Sequence, residues 1–187
     1  TISMKLFSEI TVESCIVVHH PKVYDHYSNL PDYYVINEVN KLVDSGIGAE
    51  DATRQIEDRY LLKPIDIAYN KPQFKEKDFT LSLVLYYKGS NDILRIKQEK
   101  ETEIDKLLTV DIDDEKLTKS IKFRRVPNEV SDDMEKFIVE FRKYVEQANK
   151  LSSKINEVRS ILIAKYVEER IVVNKHEEKM KGLLSKG

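Results

Sequence analysis

The sequence predicts an α+β fold: a small mixed domain with β-hairpins and an αα-hairpin over residues 1–128, then a long helical segment and tail over 129–187. Three observations carry this reading. In "FTLSLVLYY" Phe79, Leu81, Leu83, Leu85 and Tyr87 alternate with Thr80, Ser82, Val84 and Tyr86, the period of a strand with one strongly apolar face. "YYVINEVNKLVDS" and "AEDATRQIEDRY" carry apolar residues at helical spacing on either side of Gly46. From residue 131 to 181 there is neither Gly nor Pro, and the residues are strong helix formers.

Taken in order, "KLFSEITV" and "SCIVVHH" read as two short strands, with Pro21 and Pro31 marking the loop that follows. Val35, Val39, Leu42 and Val43 give the first helix its apolar face, and Gly46 ends it as a C-cap. Glu50 and Asp51 sit in the first turn of the second helix, where the macrodipole favours acids. In "FTLSLVLYYKGSNDILRIK" a turn at "KGSN" predicts a hairpin in which "DILRIK" returns beside the first strand. "IKFRRV" reads as a further strand.

The C-terminal segment carries a heptad pattern. Phe137, Phe141, Tyr144, Ala148, Leu151, Ile155, Val158 and Leu162 follow one another at steps of four and three, as in a coiled-coil seam. Beyond it the pattern fails at Lys165 and Glu169, while Ile161, Ile163, Val167 and Ile171 turn the apolar stripe to another face. About 50 residues of continuous helix would be roughly 75 Å long. The seam is therefore expected to pair with a helix of a second chain, as a homo-oligomer or with another protein. The competing expectation is a fold-back at "NKLSSK" onto the N-terminal domain.

Charged residues make up 34% of the chain and there are only 5 Gly, a balance that favours solvated helices over loops that cradle phosphates. The net charge of -2 gives no general attraction for nucleic acid or an anionic membrane. A single cysteine excludes an intrachain disulfide, and no apolar run is long enough for a membrane span, so a cytoplasmic protein is expected. No phosphate loop, dinucleotide fingerprint, nucleophile elbow or CxxC occurs, and no cofactor is implied.

These features favour a non-enzymatic protein–protein interaction module: an adaptor, an inhibitor or an assembly subunit, a profile shared by accessory proteins of phages and mobile elements. Its contact residues are expected on the seam and on the tyrosine-rich loop holding Tyr24, Tyr27 and Tyr33, because clustered tyrosine is favoured at interfaces. The first alternative is a metal-binding protein or metal-dependent hydrolase using His19, His20 and His26, since imidazole is the commonest metal ligand. Neighbouring histidines on a strand point to opposite faces, which argues for a structural role instead. The second alternative is a nucleic-acid-binding accessory factor whose phosphate contacts are Lys116, Lys119, Lys122, Arg124 and Arg125.

Overall fold

The computed structural model describes residues 2–16, 31–98, 109–123 and 127–186. In chain order its elements are β1 (Ile2–Lys5), α1 (Val12–Ile16), α2 (Pro31–Asp44), α3 (Ala49–Tyr60), β2 (Asp66–Ile67), β3 (Gln73–Lys77), β4 (Thr80–Lys88), a 3-10 turn (Asn91–Arg95), β5 (Thr109–Ile112), β6 (Lys116–Lys122) and α4 (Pro127–Ser185). The fold is α+β, with an antiparallel sheet and a long C-terminal helix. The chain forms two compact units, Thr1–Val12 with Leu62–Ser153 and Glu13–Leu61 with Lys154–Gly187.

The first unit holds the sheet, ordered β1-β5-β6-β4-β2, with β3 also paired to β4. Pairing runs from Thr80↔Lys122 to Tyr86↔Lys116 between β4 and β6, and from Lys77↔Thr80 to Gln73↔Val84 between β3 and β4. Side chains opposite one another share a face. Leu83, Leu85, Tyr87, Leu117, Val110, Ile112 and Met4 therefore line one face, and all are buried. The first part of α4 adds Phe137 and Phe141, stacked at 5.3 Å, and Phe7 lies 6.1 Å from Phe141.

Two side-chain amides fasten this unit. Asn149 accepts from the Ile65 amide at 2.8 Å and donates to the Ile65 carbonyl at 2.9 Å, so its carboxamide stands in for a neighbouring strand. Gln98 donates to the Tyr144 carbonyl at 2.8 Å. At the end of β4, Gly89 has φ +113°, and a Cβ there would stand 2.2 Å from the Pro64 carbonyl oxygen.

The second unit packs α2, α3 and the later part of α4 around Val35, Val39, Val43, Ala52, Ile56, Ile163 and Val167. Helix α2 ends in a Schellman motif: Gly46 at φ +89° donates to Val43, and Ile47 donates to Leu42. Leu42 and Ile47 both pack on this core, the hydrophobic contact that accompanies the motif. Arg159 is buried, yet its guanidinium donates to the carbonyls of Cys15 and Tyr60 at 2.9 Å each. Both carbonyls lie in the last turn of a helix, where partial negative charge collects.

Three expectations are corrected. Of the two strands expected in "KLFSEITV" and "SCIVVHH", the first lies earlier, at Ile2–Lys5, and residues 12–16 are helix, with Glu13 favourably placed in its first turn, while residues 17–20 lie outside the described residues. "DILRIK" does not return as a strand. Both edges of β4 are already taken, by β6 and by β3 with β2, so the segment closes as a 3-10 turn that buries Ile93, Leu94 and Ile96. The last strand is Lys116–Lys122, earlier than "IKFRRV", and residues 124–126 lie outside the described residues.

Leu83 has no solvent exposure, so Leu83→Ala should lower the unfolding free energy by about 2–5 kcal/mol in chemical denaturation. Gly89→Ala should cost at least ~1 kcal/mol, because its φ and the approach of Pro64 both oppose a side chain. An unchanged midpoint for Gly89→Ala would contradict this packing.

Candidate functional site

The heptad seam does not form an open surface. Phe137, Phe141, Ala148 and Ile155 are buried within the chain, Tyr144, Leu151 and Leu162 are half-buried, and Val158 is 38% exposed. The buried stripe of α4 is instead Val130, Met134, Phe137, Phe141, Val145, Ala148, Ser152, Ile155, Arg159, Ile163 and Val167. Val130, Phe141, Ser152 and Ile163 recur every eleven residues, or 3.67 per turn, close to the pitch of an ordinary helix. A 3.5-residue seam drifts by ~20° per heptad around such a helix, so Val158 has turned into solvent and Arg159 has taken its place.

After Val167 the buried stripe stops. Arg170 donates twice to the Asp44 carboxylate, at 3.0 and 2.8 Å, and Asn174 donates to the same group at 2.8 Å. The Arg170 hydrogen bond, then that of Asn174, hold the Asp44 carboxyl below its ordinary range. Asp44 closes α2, where a negative charge opposes the helix dipole, so the Arg170 cation offsets an unfavourable position. Past this clamp every residue from 175 to 186 is exposed. Val172, Val173, Met180, Leu183 and Leu184 are nevertheless large and apolar, 43–77% exposed. Val173, His176, Met180 and Leu183 step by three, four and three, so they lie on one side of the helix. The sequence reading missed this stripe, although the spacing that drew attention to residues 137–162 repeats here.

The basic run divides between the two faces of the sheet. Lys119 faces the core opposite Leu83 and is 4% exposed. Its ammonium donates to the Thr109 carbonyl at 2.9 Å and lies 5.8 Å from the centre of the Phe137 ring. Burial lowers its pKa. Lys116 and Lys122 are exposed on the opposite, polar face, which also carries Lys75 and Lys77 from β3. Those two were not expected, because β3 has no apolar alternation to reveal it as a strand. Arg124 and Arg125 lie outside the described residues.

His19, His20, His26, Tyr24 and Tyr27 also lie outside the described residues, as does the side chain of Tyr33. Cys15 is buried. Among the described residues no group of three or more His, Cys, Asp or Glu is placed to hold a metal ion. A shallow groove of about 380 Å³ lies between α3 and α4, with Glu50, Arg54, Glu57 and Glu168 as its ionisable side chains. The one hydroxyl among its lining residues, that of Thr53, donates to the Ala49 carbonyl at 2.8 Å. Among the described residues no helix is long and apolar enough to cross a membrane. Compared with protein-family models, curated proteins and solved structures, the chain matches none.

Ile155 is 1% exposed. Ile155→Glu should therefore lower the thermal transition of the chain itself, because a buried unpaired carboxylate is costly; an unchanged transition would place Ile155 outside the core. Lys119 makes a second test. Its folded pKa lies below the ordinary 10.5, so the unfolded chain binds the extra proton between the two values and stability rises with pH in that window. Lys119→Met should abolish that alkaline rise and leave the fold intact at neutral pH, as urea titrations across the window would read.

Proposed function

We propose that this chain is a non-enzymatic protein–protein interaction module, an adaptor, inhibitor or assembly subunit, and that it engages its partner through the end of α4. The observation that carries the reading is the stripe Val172, Val173, Met180, Leu183 and Leu184, exposed on a stretch of helix with no buried side chain among the described residues. An amphipathic helix recognised in a groove presents anchors at such spacing, i, i+3 or i+4, and i+7. Covering one Val, Leu or Met fully is worth about 1.5–3 kcal/mol, so a few anchors supply a useful affinity. Lys175, Glu177, Glu178, Lys179 and Lys181 surround the stripe with charges of both signs, a polar rim of the sort that borders interfaces. The reading puts the contact surface later in the helix than the heptad from Phe137 to Leu162, whose largest members serve the chain's own cores.

The test is the double substitution Val173→Glu with Leu183→Glu. Neither residue is buried, so the thermal transition should stay where it is. Cross-linking mass spectrometry on the parent should place the partner, a second copy or another protein, on residues 172–184, and light scattering should give a complex mass that the double variant loses. A lowered transition would mean that the stripe belongs to the fold. A complex that survives both substitutions would move the contact elsewhere.

A further inference from the structure

The hairpin joining β3 and β4 turns in two residues, Asp78 at φ +51° and Phe79 at φ +59°. A two-residue hairpin turn with both central residues in the left-handed region favours Asn-Gly or Asp-Gly, because a side chain is strained there. This chain places a phenylalanine at the second position and leaves it 69% exposed. Folding gains little from such a residue. Phe123, just past β6, donates its amide to the Phe79 carbonyl at 2.9 Å, and the two rings meet edge to face at 6.1 Å. An aromatic pair thus closes this end of the sheet.

The polar face beside it is basic. Lys77, Thr80 and Lys122 form the last row across β3, β4 and β6, and Lys75, Ser82 and Ser120 form the next. With strands ~4.8 Å apart and ~7 Å between alternate residues, three lysines surround three hydroxyls within about 10 by 7 Å. Ser82 and Ser120 share a hydrogen bond of 2.9 Å. Lys75, Lys77 and Lys122 are exposed, and none has an ion pair among the described residues. The total charge of -2 gives no steering from afar, but beyond a Debye length of ~8 Å such fields are screened, so the local cluster decides.

We propose that this end of the sheet binds single-stranded nucleic acid, with bases stacked on Phe79 and Phe123 and phosphates held by Lys75, Lys77, Lys122 and the neighbouring hydroxyls. Aromatic faces beside a basic surface are the means by which such strands are held without sequence preference. The hydroxyls favour this partner over an anionic bilayer, since they offer hydrogen bonds to phosphate and sugar and gain nothing from acyl chains. The aromatic pair favours a single strand over a duplex, whose bases are already stacked.

Fluorescence anisotropy with labelled oligothymidylate, oligouridylate and a duplex, and flotation with phosphatidylserine vesicles, separates the cases. The parent should bind the single strands at low salt. Three phosphate contacts give a slope of log affinity on log salt near about -2. Lys75→Gln, Lys77→Gln and Lys122→Gln together should weaken binding at least ~10-fold and flatten that slope. Phe79→Gly should weaken it at least ~5-fold while keeping or raising the thermal transition, because glycine suits the turn. That variant separates lost stacking from lost folding. Single-strand binding weaker than ~100 μM at low salt, preference for the duplex, binding to vesicles alone, or variants that bind like the parent would each overturn the proposal. A difference between the thymidylate and uridylate arms tells which nucleic acid is preferred.

Discussion

A helix of 3.6 residues per turn can keep one stripe buried over many turns only if its apolar positions recur near that period. Helix α4 is held to this condition from Val130 to Val167, and both cores depend on it. Phe137 and Phe141 complete the sheet's core, and Ile163 and Val167 complete that of α2 and α3. Eleven-residue spacing meets the condition. A strict heptad would need supercoiling to stay in place. The seam from Phe137 to Leu162 is thus the part of a wider apolar band that happens to be regular at 3.5 residues, and the packed stripe passes obliquely through it.

That stripe is filled in two places by polar residues, Ser152 and Arg159. Burying such groups is costly unless each finds a partner, and here the partners are backbone carbonyls. Ser152 donates to Asn149, and Arg159 donates to Cys15 and Tyr60. Lys119 follows the same rule with Thr109, as does Gln98 with Tyr144. The carbonyls of Cys15, Tyr60 and Thr109 lie at the ends of their elements, where ladder or helix bonds run out, whereas those of Asn149 and Tyr144 lie within α4. Arg159 and Lys119 thus close carbonyls at element ends, and Gln98 ties its segment to α4 within the sheet unit, a specificity that apolar packing alone supplies less sharply.

The fold class, both helices of the αα-hairpin and the buried face of β4 were legible in the sequence, because each rests on local periodicity. Residues 49–60 form the expected helix, and Leu83 lies at the centre of the expected apolar face. The failures have separate physical causes. β5 is four residues long, β2 is two, and every residue of β3 is exposed, so none carries enough pattern to be seen. The strand expected in "DILRIK" was lost to competition for the edges of β4, which is settled by pairing far along the chain. Apolar content alone did not separate strand from helix at Val12–Ile16. Of the contact residues, the seam was visible but its burial was not, because burial depends on what faces the helix. Lys122 was found without Lys75 and Lys77, since β6 and β3 are brought to one face only through β4.

An exposed apolar residue by itself carries no meaning, because folded surfaces hold many. What distinguishes the two surfaces singled out is that folding gives no reason for them. Helix α4 continues past the Asp44–Arg170 clamp with no side chain buried, although extending an unpacked helix is supported only weakly by propensity. The β3–β4 turn holds Phe79 in a conformation that glycine adopts at lower cost and turns most of its ring to water. Strain kept at the surface, where the rest of the fold does not use it, is a reason to look for a ligand. One surface belongs to the helical unit and the other to the sheet unit, and no residue is common to both. Substitutions at either one therefore leave the other's side chains unchanged, and the two binding proposals stand or fall independently.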